Sequence, residues 1–120
     1  MADNEGVTRI LLEYGADPNA RDSDDQTPLH RVVEWNRTEV ARVLLENGVD
    51  VNARDVTNRT PLHVASELDG VQLLLHHSAD VHARDDEGRT PFQDASASAA
   101  RESQSIMRLL LEHGAEDSRT

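Results

Sequence analysis

Apolar residues recur along this chain in short bursts with helical spacing, and polar, turn-forming stretches separate the bursts. Two bursts lie between Thr27 and Gly48. Leu29, Val32 and Val33 stand at i, i+3 and i+4, one stripe of a short helix, and Val40, Val43, Leu44 and Leu45 form the stripe of a second. Thr27 suits the N-cap of the first helix, with Pro28 at the next position, where a missing N–H costs nothing. Asn36 and Thr38 are breaker and cap candidates between the helices, and Gly48 is the left-handed stop. Residues 49–59 are polar and rich in turn formers. The order then returns: Leu62, Val64 and Ala65, then Val71, Leu74 and Leu75, with Ser78 at the stop. A third round has Phe92, Ala95 and Ala99, then Ile106, Leu109, Leu110 and Leu111 before Gly114. At the front, Val7, Ile10, Leu11 and Leu12 predict a lone second helix ahead of Gly15, capped by Asp3 or Asn4. Each unit therefore reads as a helix pair plus a projecting turn.

The periodicity is also literal. Thr27-Pro28-Leu29-His30 recurs as Thr60-Pro61-Leu62-His63, 33 residues on, and in altered form as Thr90-Pro91-Phe92-Gln93. Gly15-Ala-Asp-Pro-Asn19 is echoed by Gly48-Val-Asp-Val-Asn52, Ser78-Ala-Asp-Val-His82 and Gly114-Ala-Glu-Asp-Ser118. A unit of this length cannot bury its own apolar face, so units must stack.

These paired strings resemble the ankyrin-repeat family, whose motif carries Thr-Pro-Leu-His at the first helix and Gly-Ala-Asp-Val-Asn at the end of the second. The resemblance runs from about Val7 to Glu116. It implies an all-α solenoid of stacked helix-turn-helix units with projecting β-turn fingers, one half unit over about residues 3–21 and full units over about 22–54, 55–84 and 85–117. It also implies that His30 and His63 are buried imidazoles that hydrogen-bond turn backbone and tie neighbouring units together. Some members of the family are hydroxylated at an asparagine, and Leu45-Glu-Asn-Gly-Val-Asp-Val-Asn52 resembles an acceptor; read as residues, Asn19 and Asn52 suit left-handed or self-bonded turn positions.

From the Thr to the Gly position the units run 21, 18 and 24 residues. The anchoring strings survive, so three residues are missing near Glu67–Gly70 and three are added within Ala97–Ser105. Loops tolerate such changes, and both fall on one rim of the stack. The front half unit reads as a fragment or a natural truncation, and the polar tail Glu116–Thr120 as a stop.

Composition narrows the chemistry. Cysteine is absent, which removes disulfides and thiolate sites, and fits an intracellular, cytoplasmic setting. Lysine is absent too, so all 12 basic residues are Arg. That excludes a Schiff-base lysine and a P-loop. The net charge of −11 disfavours nucleic acid and anionic lipid surfaces and favours a protein partner with a basic patch. No long apolar run marks a membrane span.

Catalytic and metal signatures do not emerge. The histidines at 30, 63, 76, 77, 82 and 113 show no HExxH spacing. A calcium loop starting at Asp22 needs glycine and glutamate where the chain has Thr27 and Val33, so Asp22-Ser23-Asp24-Asp25 and Asp85-Asp86-Glu87 read as solvated finger tips. No nucleophile–base pair or Gly-rich phosphate cradle is present, and no cofactor is expected.

The expected function is thus non-catalytic protein binding through the concave surface and turn tips. By motif position the variable surface is Ser23, Asp24, Gln26, Glu34 and Trp35 in the first full unit. It continues as Val56, Thr57, Arg59, Glu67 and Leu68 in the second, and Asp86, Glu87, Arg89, Ala97 and Ser98 in the third. Trp35, the only Trp, and Leu68 one unit on are the expected apolar anchors; Trp35 also suits packing across the neighbouring unit. The alternative is self-association through the apolar edge of the incomplete front unit, which leaves the chain a monomer or a weak homo-oligomer.

Overall fold

The computed structural model describes residues 17–116. The predicted front helix, with Val7, Ile10, Leu11 and Leu12, and the edge it was expected to expose lie outside the described residues. Among those residues there are six helices and no strand: α1 Pro28–Glu34, α2 Thr38–Glu46, α3 Pro61–Val64, α4 Leu68–His76, α5 Pro91–Ala97 and α6 Ser103–Glu112. The predicted pairs are α1/α2, α3/α4 and α5/α6. First helices pack on one another in the row α1–α3–α5, and second helices in the row α2–α4–α6. The result is an all-α solenoid whose core runs between the two rows.

The Thr-Pro strings start the first helices as expected. Thr27 and Thr90 accept from the backbone N–H groups of His30 and Gln93 at 3.4 and 3.3 Å. In return, the side chains of His30, His63 and Gln93 accept the N–H of Thr27, Thr60 and Thr90 at 3.1, 3.1 and 3.0 Å. These reciprocal bonds satisfy donors that a helix start leaves open. The stops also follow the sequence: Gly48, Ser78 and Gly114 take positive φ of 82°, 69° and 97°, and Asn36 turns the chain after α1 at 56°. Thr38 is instead the first residue of α2, and Arg37 ahead of it offers no side-chain cap.

The apolar stripes form one continuous cluster in which Leu29, Leu74 and Phe92 are fully buried and Val33, Val71 and Leu110 nearly so, and Val43 on α2 is buried as deeply. Burying each such side chain stabilises the stack by roughly 1.5–3 kcal/mol. Val49, Ala53, Val81, Ala83 and Met107 join the interior as well. Ala99 does not: α5 ends at Ala97, and Ala99 lies exposed in the longer connection to α6. Leu111 points outward from α6 at 38% exposure.

Candidate interaction surface

The turns between units are built on three aspartates. Asp22, Asp55 and Asp85 each stand five residues ahead of a Thr-Pro pair. One oxygen of each carboxylate accepts two backbone N–H bonds: from Asp24 and Gln26, from Thr57 and Arg59, and from Glu87 and Arg89, all at 2.8–3.0 Å. Each finger closes through a bond from the aspartate N–H to the carbonyl four residues on. The tip residue before that carbonyl, Asp25, Asn58 or Gly88, has φ of 59°, 64° or 76°. Burial alone pushes the Asp55 and Asp85 carboxyls up, but their N–H donors, with Thr57 Oγ1 at Asp55 and His63 and Arg59 near Asp85, hold both below the usual range. Asp22 is lowered first by Arg31, whose guanidinium donates to it at 2.6 Å.

Fingers are joined to one another. Val56 N–H donates to the carbonyl of Asp24, and Asp86 N–H to that of Thr57, both at 2.9 Å. Arg21 and Arg54 each donate one nitrogen to a carbonyl of their own finger and to a carbonyl of the next, Arg54 and Arg84 respectively. Of the two turn roles that suit them, Asn19 and Asn52 do not take the left-handed one. Their Oδ1 atoms accept the N–H of Asp50 and Asp80 in the following unit, at 3.4 and 2.8 Å.

The two TPLH histidines do what the motif implies. The second ring nitrogen of His30 meets the Arg59 carbonyl at 2.9 Å, and that of His63 meets the Arg89 carbonyl at 2.9 Å. Because Nδ1 accepts from a threonine N–H, Nε2 carries the proton and donates. Each imidazole therefore links a helix start to the next finger. Burial is the first cause that depresses His63, whose charged form is disfavoured inside the stack.

Arg59, expected on the binding surface, has an internal use. Its guanidinium pairs with Asp85 at 2.9 Å and Asp94 at 2.7 Å and donates to the His63 carbonyl at 3.2 Å. Ligand atoms of His63, Asp85 and Asp94 lie within 4.8 Å of one another. The guanidinium bridging both carboxylates, and the engagement of both His63 nitrogens, make this an ion-pair network rather than a vacant cation site. Gln26 occupies the matching position one unit earlier and reaches Asp55 at 3.4 Å. Arg89, the third of the series, is largely exposed, 3.9 Å from Glu87.

The other expected surface residues divide. Ser23, Asp24, Glu34, Trp35, Val56, Thr57, Asp86, Glu87, Ala97 and Ser98 are exposed. Trp35 ends α1 at 58% exposure with the Arg31 guanidinium 5.8 Å from its ring centre, and Val56 is 60% exposed. Thr57 Oγ1 donates to Asp55, and Asp86 accepts from Asn58. Leu68 is half-buried and packs on the core. Of the two expected anchors, only Trp35 stands in the open. Glu67, just ahead of α4, has the Glu102 carboxyl beside it, which pushes its own carboxyl up. Glu102 itself is lowered, first by the Leu68 N–H that it accepts at 2.8 Å.

Two clefts open on the side of the first helices and fingers. One, of about 580 Å³, lies between α1, α3 and their fingers, lined by Asp24, Glu34, Val56 and Val64 among others. The other, of about 350 Å³, lies between α3, α5 and α6. Arg59 and His63 line both. No helix among the described residues is long and apolar enough to cross a membrane.

The aspartate-centred fingers and their arginine braces were missed by the sequence reading, although their signal was there: Arg-Asp recurs six and five residues before each Thr-Pro. A family profile described as ankyrin repeats in three copies matches residues 1–85 and 55–120. The chain is also 53% identical over 36 residues to an ankyrin repeat protein of Pyrobaculum aerophilum, a match spanning 30% of this chain and 14% of that protein. The chain belongs to the ankyrin-repeat family, whose members are in general protein-binding modules rather than enzymes.

Proposed function

We propose that the chain is a non-catalytic module that binds a protein partner along the side formed by its first helices and finger tips. Trp35 acts as the apolar anchor, and the surrounding acids orient a partner that carries a basic patch. Trp35 carries this reading. A large aromatic side chain left 58% exposed at the end of α1 contributes little to the core, yet offers the kind of area that dominates interfaces. The division into units at about 22–54, 55–84 and 85–117 belongs to the same reading, since each then contributes one finger and one first helix. The rigid stack holds these elements in place before docking, so little ordering entropy is lost. A pull-down from the native source with wild-type and Trp35→Ala baits tests it. The anchor role requires that Trp35→Ala loses a protein retained by the wild type while its melting temperature is unchanged. Equal loss of capture and stability returns Trp35 to a packing role.

A further inference from the structure

The two clefts differ in chemistry, and the difference specifies a partner segment. In the first, the Asp24 and Glu34 carboxylates make no hydrogen bond or ion pair among the described residues, beside the exposed Val56. Other charges near it are internally matched: Arg59 by Asp85 and Asp94, Asp55 by backbone N–H groups, and Arg31, which also attracts Asp24 and Glu34, by its 2.6 Å pair with Asp22. The open end of this cleft is therefore acidic. The second cleft has one apolar wall, with Leu62, Ala65, Ala95, Ala100, Ile106 and Leu110 in it, and a polar one of Arg59, His63, Asp94 and three serines. Three of the six apolar ones are alanines, one just after α3, one on α5 and one in the lengthened connection. Where larger side chains would close the gap between first helices, about 350 Å³ stays unfilled. That lies at the low end of the range of ligand-sized clefts, so an aliphatic side chain fits with space to spare. Arg89 at its rim is the only strongly exposed charge among the residues that line it with a side-chain exposure of 54%, and Glu87 lies 3.9 Å away.

Resting on the reading that this side binds protein, we propose that it takes an extended partner segment carrying an arginine or lysine and an aliphatic residue. The basic side chain lies against Asp24 and Glu34, and the aliphatic one enters the cleft between α3 and α5. The clefts are one unit apart. Helices stack at about 8–10 Å and an extended chain advances about 3.3 Å per residue, so the two side chains stand about three residues apart. Charge complementarity chooses the basic residue, and the alanine-lined gap chooses the apolar one.

The test uses fluorescein-labelled Gly-Ser-Arg-Ser-Ser-Leu-Ser-Gly, its reverse-order counterpart and versions with Arg, Leu or both replaced by Ser, titrated by fluorescence anisotropy. One order should bind saturably. Loss of its Leu should weaken binding about tenfold or more, and loss of its Arg about two- to fivefold. With Asp24→Asn/Glu34→Gln, the Arg and Ser probes should bind alike while the Leu preference survives. Ala95→Leu should abolish the Leu preference; Ala100→Leu, on the more exposed wall, does the same if Ala95→Leu fails to fold. The proposal is overturned if neither order exceeds the doubly Ser-substituted probe. It is equally overturned if Glu39→Gln/Glu46→Gln, acids on α2 that line neither cleft, erases the Arg preference as fully, since only net charge is then sensed. A partner lost by Trp35→Ala but kept by Asp24→Asn/Glu34→Gln and Ala95→Leu leaves protein binding standing and removes this segment.

Discussion

His30 gives the sharpest test of how the stack is held. Its ring is fully buried, accepts the Thr27 N–H at 3.1 Å, contacts Thr27 Oγ1 at 3.0 Å and donates to the Arg59 carbonyl at 2.9 Å. His30→Ala removes all three contacts and opens a cavity. It leaves the Thr27 N–H without a partner, costing about 1–3 kcal/mol, and takes one of two donors from the Arg59 carbonyl, which keeps the Asp55 N–H at 2.9 Å, a loss of about 1 kcal/mol; the lost volume adds to this. A total near 3–5 kcal/mol follows. The third unit shows how to separate the terms, because Gln93 stands at the matching position and its Oε1 accepts the Thr90 N–H at 3.0 Å. His30→Gln should therefore keep the reciprocal bond at the helix start and lose only the reach to the next finger, a cost of about 1–2 kcal/mol. Urea unfolding followed by far-UV circular dichroism measures both, with the m-value compared to exclude a change in cooperativity. If His30→Ala lowers stability by less than about 1 kcal/mol, or if His30→Gln costs as much as His30→Ala, then the imidazole does not partition its role between cap and link as argued.

Other expectations are more local. His63 is depressed below its ordinary 6.5 by burial, so the unfolded chain binds a proton that the folded one resists; stability should be full above pH 6.5 and fall as the pH drops below it, and His63→Gln should flatten that slope in urea titrations at pH 5 and 7. Asp55 and Asp85 are held below their ordinary 3.8, so the stability they contribute is present above that pH and is lost on further acidification, a second step that Asp85→Asn should reduce. Arg59→Ala uncouples Asp85 and Asp94 and should cost about 1–3 kcal/mol, less than a fully buried pair because the arginine side chain is 27% exposed. Gly48→Ala forces a side chain into a φ of 82° with open space around it, so backbone strain alone should cost about 1 kcal/mol in thermal unfolding.

Most of the fold was readable because its signals are repeated and independent. Thr-Pro at three helix starts, a glycine or serine at three ends, and stripes at helical spacing between them agree with one another. Ala99 misled because alanine fits a stripe and a loop equally, and only the early end of α5 decides between them. The surface was less readable. Motif position assigns Arg59 and Leu68 to the open side, but position says nothing of what lies opposite. Asp85 and Asp94 arrive from the next unit and claim the arginine, while the shortened turn before α4 draws Leu68 onto the core. The buried aspartates were hidden for a related reason. Acids in turns look solvated in a sequence, and the backbone donors that make burial tolerable become apparent only once the finger closes.

The unequal unit lengths acquire a physical sense in the same way. The second unit lacks three residues between its helices and the third has three more. The short turn leaves Glu67 at the N-cap of α4, where its side chain makes no capping bond. Glu102, at the end of the long connection, supplies the missing acceptor by taking the Leu68 N–H at 2.8 Å. On the other side, Ser66 Oγ donates to the Glu34 carbonyl at 2.9 Å at the end of α1. A deletion in one unit is thus bridged by an insertion in the next, and the two changes are one adaptation. Glu102→Ala should then lower stability measurably, as loss of a helix cap does, whereas Glu102→Gln, which keeps an acceptor oxygen, should lower it less. Hydrogen exchange at the Leu68 amide locates the effect. Faster exchange there in Glu102→Ala, with the α6 amides unchanged, assigns the loss to α4; faster exchange confined to α6 shows that Glu102 serves only its own helix, and the compensation argument fails.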